Sequence, residues 1–452
     1  MTVHHIVPPY LLEHLERTAD DPNLRARYRQ SLQHDAVFRA RPSATPSQDA
    51  APFQDAAPSQ DEGPAQGPRR VVHDAEHGTS LPGTVVRAEG APATTDLAVN
   101  QAYDGTGATW AMFQECFGRD SIDGAGLLLS STVHFDRGYA NAFWDGAQMV
   151  FGDGDGEIFG DFTRSIDVTG HELTHGVTQY TANLAYEGQS GALNESISDV
   201  FGSLAKQHHL GQSAADADWL IGAGIFRPGV SGAALRSLKA PGTAYDDPRL
   251  GRDPQPAHMS GYVETTADHG GVHINSGIPN HAFYLVAKEL GGNAYGDAGR
   301  IWYSTLTSGE LSETATFIDF AQATIAAATT LFGADSPQVS AVTTAWTEVG
   351  VLQSDTADPS QPPESSAQSE SSEQSEESER SQSSQPSGSA ESVELMRAAN
   401  TALSTQTPPR PPASIPLPSD QPAEPAAADP ETADPDTPAN PSRPETPASG
   451  SD

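Results

Sequence analysis

The stretch Ile166-Asp-Val-Thr-Gly-His-Glu-Leu-Thr-His-Gly-Val177 carries two histidines four apart, His171 and His175, with Glu172 beside the first. On a helix, positions four apart share a face. Both imidazoles can therefore address one zinc ion, and Glu172 can reach a water beside the same metal. A catalytic site of this kind needs a third protein ligand and one open position. Downstream, Gly191-Ala-Leu-Asn-Glu-Ser-Ile-Ser-Asp199 offers Glu195, with nineteen residues between it and His175. That spacing lets one helix end and a second bring its carboxylate alongside. Asp199 lies one turn further on the same face and is placed to accept the outer N–H of a ligand imidazole.

A second polar cluster lies in Asp268-His-Gly-Gly-Val-His-Ile-Asn-Ser-Gly-Ile-Pro-Asn280. Its Gly-rich approach and flanking acid single out His273 as a donor to a developing oxyanion, with Asp268 holding the imidazole in orientation.

Around these motifs the texture changes along the chain. Residues 8 to 34 look helical, with Tyr10, Leu11, Leu12, Leu15 and Leu24 spaced for an apolar stripe. Pro42 to Pro68 repeats an approximate Gln-Asp-Ala-Ala-Pro unit and reads as a linker. From 71 to 163 short β-like runs, such as Leu127-Leu128-Leu129 and Thr132-Val133-His134-Phe135, are punctuated by Gly and Asp. From about 166 the pattern is helical: 166–181, 192–209, 275–290, 296–307, 313–332 and 336–348. The fold class is α+β, a β-rich half followed by a helical half with the site between them. From Gln353 to Asp452 there is no Phe, Tyr or Trp, and Ser, Pro, Gln, Glu and Ala dominate. Such a tail cannot bury enough apolar surface to offset the entropy of ordering and is expected to be disordered. Only Glu391 to Leu403 has some helical spacing.

The formal charge is -36, from 60 acidic and 24 basic residues in 452. The acidity extends into the core-forming part, which argues against nucleic acid as a partner, since phosphate binding needs a basic face. Cys116 is the only cysteine, so no intramolecular disulfide is possible. No apolar stretch approaches the length of a membrane span, and the N-terminus is not a recognisable signal peptide.

Taken together, the motifs resemble the thermolysin-like zinc metallopeptidases, in particular the protealysin-like branch, over about 71 to 352. His171-Glu-Leu-Thr-His175 and Asn194-Glu195 with Asp199 match the metal-site motifs, and Gly270-Gly-Val-His-Ile-Asn275 matches the catalytic-histidine segment. Asn141-Ala-Phe-Trp-Asp-Gly146 is similar to the family's substrate-binding edge strand, which implies contacts from Asn141, Ala142 and Trp144. Tyr186 lies where the family has its oxyanion tyrosine, and Ala234-Leu-Arg-Ser237 resembles the segment supplying a substrate-binding arginine, here Arg236. Phe159, Val168, Ile225 and Leu235 fall at positions lining the leaving-side pocket, which implies preference for an apolar residue after the cut.

The resemblance implies a thermolysin-like two-lobed fold with one catalytic zinc in the cleft. Its plan is a propeptide over 1–45, a linker over 46–70, a β-rich lobe over 71–181, a helical lobe over 182–352 and the acidic tail over 353–452. Val7-Pro-Pro-Tyr-Leu-Leu-Glu-His-Leu15 resembles the short propeptide of that branch, implying a segment that folds in cis against the catalytic part until it is cut. Protein or peptide substrates, a monomer and secretion are expected, with a cytoplasmic location as the alternative. For calcium, Asp167 and Asp218 stand at matching places. Lys206, Leu220 and Ala223 occupy other ligand positions, which argues against the family's double calcium site and leaves a single Ca²⁺ open.

Neighbouring classes fit less well. A metzincin would place Gly and His where this chain has Thr178 and Thr181. A zinc aminopeptidase uses a similar spacing, but no acidic motif for holding a free substrate amine is visible. A non-catalytic scaffold on the same fold would have lost a ligand or the base, and none is missing.

Overall fold

The computed structural model describes residues 4–39 and 67–353. Most of the 46–70 linker and the tail from 354 onward, including Glu391–Leu403, lie outside the described residues.

The N-terminal part comprises strand β1 (His4–His5) and helices α1 (Pro9–Thr18) and α2 (Pro22–Arg39). The helical stretch expected over 8–34 is divided between α1 and α2. Ala19 leaves α1 with ψ 132, and the Asp-Pro step restarts the chain. A residue before proline is driven out of the α region, and Asp21 Oδ1 accepts from Asn23 N at 2.8 Å to open α2. Strands β2 (Arg70–Asp74) and β3 (Thr84–Ala88) follow.

Helix α3 (Leu97–Phe117) then corrects the expectation of short β runs throughout 71–163. Asp96 caps it, accepting from Ala98 N at 2.9 Å and Val99 N at 3.3 Å, and Gly118 ends it in the left-handed region at φ 69°. Strands β4 (Leu129–Val133), β5 (Ala142–Trp144) and β6 (Met149–Phe151) complete a six-stranded mixed sheet in the order β1-β5-β6-β4-β2-β3. The β4 pairings to β2 and β6 are parallel and the rest antiparallel. β1 lies on β5, with His4 opposite Trp144 and His5 opposite Phe143. Without the N-terminal part, β5 would be an open edge.

The helical half holds α4 (Ile166–Gln179), α5 (Gly188–Leu210), α6 (Asp268–Asn275), α7 (Gly277–Leu290), α8 (Asp297–Thr307), α9 (Phe317–Phe332) and α10 (Pro337–Glu348). Between α5 and α6 run short strands β7 (Leu220–Ile221) and β8 (Arg236–Ser237), paired antiparallel, and β9 (Asp246–Asp247) and β10 (Gly251–Arg252). One continuous apolar core spans both halves and takes in Ile6, Val7, Leu11, Leu12 and Leu15 of the N-terminal part. The expected division into a strand-bearing half and a helical half therefore holds, with α3 as the long helix inside the first. Among the described residues, no helix is long and apolar enough to cross a membrane.

The crossing of α4 and α5 sets the geometry of the site. A Cβ on Gly202 would meet the Asp167 carbonyl oxygen at 2.5 Å and His171 N at 2.9 Å, and one on Gly170 would meet Gly202 Cα at 2.9 Å. Only backbone-to-backbone packing lets the α5 carboxylates reach the α4 imidazoles. Gly202→Ala is expected to push the helices apart, lowering stability by about 1–3 kcal/mol in denaturant unfolding and weakening metal retention together.

Candidate active site

Helix α4 presents His171, Glu172 and His175 on its buried face. Across the crossing, α5 supplies Asn194, Glu195 and Asp199, all buried. His171 Nδ1 donates to Asp199 Oδ1 at 2.8 Å, and His175 Nδ1 donates to Asn194 Oδ1 at 2.8 Å. Ser198 Oγ lies 3.0 Å from the same His175 nitrogen. With both Nδ1 atoms used as donors, the two Nε2 atoms carry lone pairs, and they face each other at 3.0 Å. Glu195 closes the group, with Oε2 3.5 Å from His171 Nε2 and Oε1 3.4 Å from His175 Nε2. Glu195 Oε2 has no hydrogen-bond partner although it is buried. Lone pairs converging on an orphaned carboxylate oxygen would repel one another unless a cation sat among them, so this donor set fits a metal ion. Burial, reinforced by His4 and His171, holds the His175 pKa well below its usual value, which favours the neutral form that ligates.

Glu172 faces the same space. Its Oε2 accepts from Trp144 N at 3.1 Å, while its Oε1 is buried and unpaired. Burial, then the neighbouring Glu195, pushes its pKa well above the ordinary carboxylate range.

The loop into α6 brings the third element. His269, Gly270 and Gly271 all have positive φ (51°, 83° and 76°), and this left-handed run turns the chain so that the Asp268 carboxylate meets His273. Asp268 Oδ2 accepts from His273 N at 3.0 Å and its Oδ1 from His273 Nδ1 at 2.7 Å. Burial alone would depress the His273 pKa, but Asp268 and Glu195 hold it up at about 9. His273 Nε2 therefore carries a proton, and it lies 3.3 Å from the Tyr186 hydroxyl. Tyr186 OH in turn donates to Glu195 Oε1.

Arg236, on β8, is buried and forked onto Asp199, with Nε to Oδ2 at 2.8 Å and Nη2 to Oδ1 at 2.8 Å. Asn280 Nδ2 donates to Asp199 Oδ2 at 2.8 Å. Burial would raise the Asp199 pKa, yet Arg236 and His171 hold it below the usual carboxylate range. Phe159, Val168, Ile225 and Leu235 are buried in the main core, the same cluster that contains Ile6 and Val7.

The residues expected at the metal, catalytic and substrate-binding positions thus gather around one cleft, with Phe159, Val168, Ile225 and Leu235 in the core. The cleft is filled by the N-terminal part. Ile6 N donates to Ala142 O at 3.1 Å and Val7 N to Asn141 Oδ1 at 2.9 Å. Arg236 Nη1 donates to Ile6 O at 2.9 Å, and His273 Nε2 to His5 O at 3.1 Å. Sequence reasoning missed His4, His5 and Asp35. His4 stacks on His175 with centroids 4.1 Å apart. Asp35 accepts from Tyr139 OH at 2.7 Å and Asn141 Nδ2 at 3.3 Å, and lies 3.0 Å from His5 Nε2. The one available signal was the His4-His5 pair just ahead of the propeptide-like motif.

A lysine stands where calcium ligands were sought. Lys206 Nζ donates to Asp167 Oδ2 at 2.6 Å and Leu220 O at 2.7 Å, and lies 2.8 Å from Asp218 Oδ1. Burial would lower its pKa, but Asp167 and Asp218 raise it.

This architecture and the donor set gathered by its α4–α5 helix pair fit the class of metallopeptidases. Residues 65–179 match the thermolysin metallopeptidase catalytic domain and residues 182–351 the thermolysin metallopeptidase alpha-helical domain. The extracellular metalloprotease of Pectobacterium carotovorum subsp. carotovorum is 55% identical over 282 residues, which is 62% of this chain and 81% of that protein. Protease PrtS of Photorhabdus sp. (strain Az29) is 45% identical over 353 residues, 76% of this chain and 91% of that one. Among solved structures, the precursor of protealysin, a metalloproteinase from Serratia proteamaculans, superposes with a TM-score of 0.69 at 47% identity, covering 77% of this chain and all of that one. The chain belongs to the thermolysin metallopeptidase family, as a protealysin-like member.

Lys206→Met would leave Asp167 as a buried, uncompensated carboxylate beside α4. It is expected to cost about 3–5 kcal/mol, read by denaturant unfolding, and a neutral effect would remove the lysine from the structural framework.

Proposed function

We propose that this chain is the precursor of a secreted, monomeric zinc endopeptidase that cuts internal peptide bonds before a bulky apolar residue. In this reading its residues up to about 45 hold it inactive in cis. The observation that carries the proposal is the path of His5-Ile6-Val7. Those residues run antiparallel to β5 and bond to Ala142, Asn141, Arg236 and His273, the contacts expected of an extended peptide added to an open sheet edge. The extracellular metalloprotease among its relatives supports secretion, and the protealysin precursor supports a propeptide.

His171, His175 and Glu195 would hold the zinc, with Asp199 and Asn194 fixing the two imidazoles from behind. Zinc bound there would polarise the scissile carbonyl and lower the pKa of a water from about 15.7 towards 7. Glu172, made more basic by its burial, takes the proton of the attacking water and passes it to the leaving amine. His273, protonated on both nitrogens and held by Asp268, donates to the oxygen that becomes negative. Tyr186 supplies a second donor. Each such donor is typically worth about 3–4 kcal/mol in the transition state. Asn141, the Ala142 carbonyl and Trp144 on the edge strand, with Arg236 opposite, keep the peptide extended and aligned.

His273 marks the His5 carbonyl as the stand-in for the reacting one, so Ile6 occupies the place of the residue after the cut. Ile6 is fully buried and shares its apolar cluster with Phe159, Val168, Ile225 and Leu235. A charged side chain there would find no partner and lose its hydration. In the same reading, Lys206 replaces the family's double calcium site by supplying one positive charge to Asp167 and Asp218.

Glu172→Ala is expected to keep stoichiometric zinc and lose about 10²–10⁴-fold in hydrolysis of a blocked peptide, while Glu195→Ala loses zinc itself. A Glu172→Ala enzyme of near-normal rate, or a Glu195→Ala protein with full zinc, would refute the corresponding role. Peptide mixtures cut by the mature enzyme should show Leu, Ile, Phe or Val after the cut; predominance of acidic or basic residues there would overturn the pocket assignment.

A further inference from the structure

We infer that His4 is a fourth protein ligand of the metal in the uncut chain, so the N-terminal segment closes the site chemically as well as sterically. This rests on the zinc site proposed above and adds a residue to it. One ligand atom each from His4, His175 and Glu195 lie within 4.8 Å of one another, and all three residues are buried. The His4 ring is fixed there from two sides. It stacks on His175 at an interplanar angle of 12° and meets the edge of Tyr186 at 4.3 Å between centroids.

The polar atoms point the same way. His4 Nδ1 is buried without a hydrogen-bond partner, and so is Glu195 Oε2. An unpaired buried acceptor is costly, and a protein does not normally carry two in one pocket without a shared partner. A dication among His171, His175, Glu195 and His4 would satisfy both.

The strand register makes the placement specific. In the β1–β5 pairing, successive side chains point to opposite faces. His4 turns inward to His175, while His5 turns to Phe143 and Asp35. A one-residue slip would exchange them, and the Ile6 and Val7 contacts to Ala142 and Asn141 oppose such a slip.

The chemistry gives the arrangement a consequence. Four protein ligands make a closed, structural type of zinc site, whereas a catalytic one keeps a position open. The His5–Ile6 bond lies with its carbonyl on His273 and the next carbonyl on Arg236, as a substrate bond would. With His4 in the open position, no activated water is available beside that bond. The segment can therefore bind in substrate register without being cut there.

The test uses the full chain carrying Glu172→Gln, so that it stays uncut, with and without His4→Phe. Zinc X-ray absorption spectra should fit three imidazoles per zinc in the first protein and two in the second. Cobalt-loaded samples should show a matching change in visible absorption, and zinc transfer to a chromogenic chelator should speed up by at least about tenfold when His4 is lost. Two imidazoles in both proteins, with equal transfer rates, would overturn the assignment. His4→Gln provides the same comparison if the phenylalanine variant folds poorly, and His5→Gln should leave the count at three. Absence of bound zinc from every variant would instead bring down the zinc site itself.

Discussion

The buried carboxylate of Asp199 is the constraint on which the site turns. It has no exposure to water, a position that would be costly for a charge without close partners. Its partners come from three other elements: the His171 imidazole on α4, the Arg236 guanidinium on β8 and the Asn280 amide on α7. The metal side and the peptide side of the cleft are therefore not independent. The group that sets the tautomer of a candidate ligand also orients the cation that holds the Ile6 carbonyl. A shift of Arg236 would be felt at His171, and the close backbone packing of α4 on α5 at Gly170 and Gly202 holds the two helices that carry this pair's shared partner Asp199 and His171 itself.

A second constraint comes from the sheet. β5 carries the main-chain groups that an extended peptide needs, and an uncovered edge of that kind invites unwanted pairing. The chain covers it with its own β1 and braces the cover from behind. Asp35 on α2 reaches Tyr139, Asn141 and His5 together, so the N-terminal helices are tied to Asn141 beside that edge.

How much of this could be read from the sequence follows from the range over which each signal acts. The His171-to-His175 spacing and the Asn194, Glu195, Asp199 set are local helical patterns, and the structure brings them together as expected. Helix α3 was hidden because Gly105 and Gly107 lower its intrinsic propensity. Both glycines serve packing: a Cβ at Gly105 would press on Thr169 at 3.0 Å, and one at Gly107 would strike Arg70 Nη1 at 2.2 Å. Lys206 could be seen as a misfit for calcium, but that its ammonium bridges Asp167, Asp218 and Leu220 emerges only in three dimensions. His4 and His5 offered only their adjacency, since a two-residue strand is too short for its alternation to show and their strand partners on β5 lie more than a hundred residues away.

The grip of the N-terminal segment on the cleft has an uneven distribution that bears on how latency ends. Its main-chain bonds to Ala142, Asn141, Arg236 and His273 are the kind any substrate would make, each worth about 0.5–1.5 kcal/mol net. Apolar anchoring contributes more. Ile6, Val7, Leu11, Leu12 and Leu15 are essentially fully buried, and each such side chain contributes about 1.5–3 kcal/mol. A free peptide offers the first set and little of the second, and it lacks the advantage of being joined to the enzyme in cis. Competition by substrate alone would therefore not displace the segment. On the proposed reading, cutting the connection after α2 would remove the cis advantage but leave the apolar anchor in place, so full activity would require the severed helices to leave or be degraded as well. On that reading, proteolysis of the connection and loss of α1 from the core would be two separate steps, the second set by burial rather than by the chemistry of the cleft.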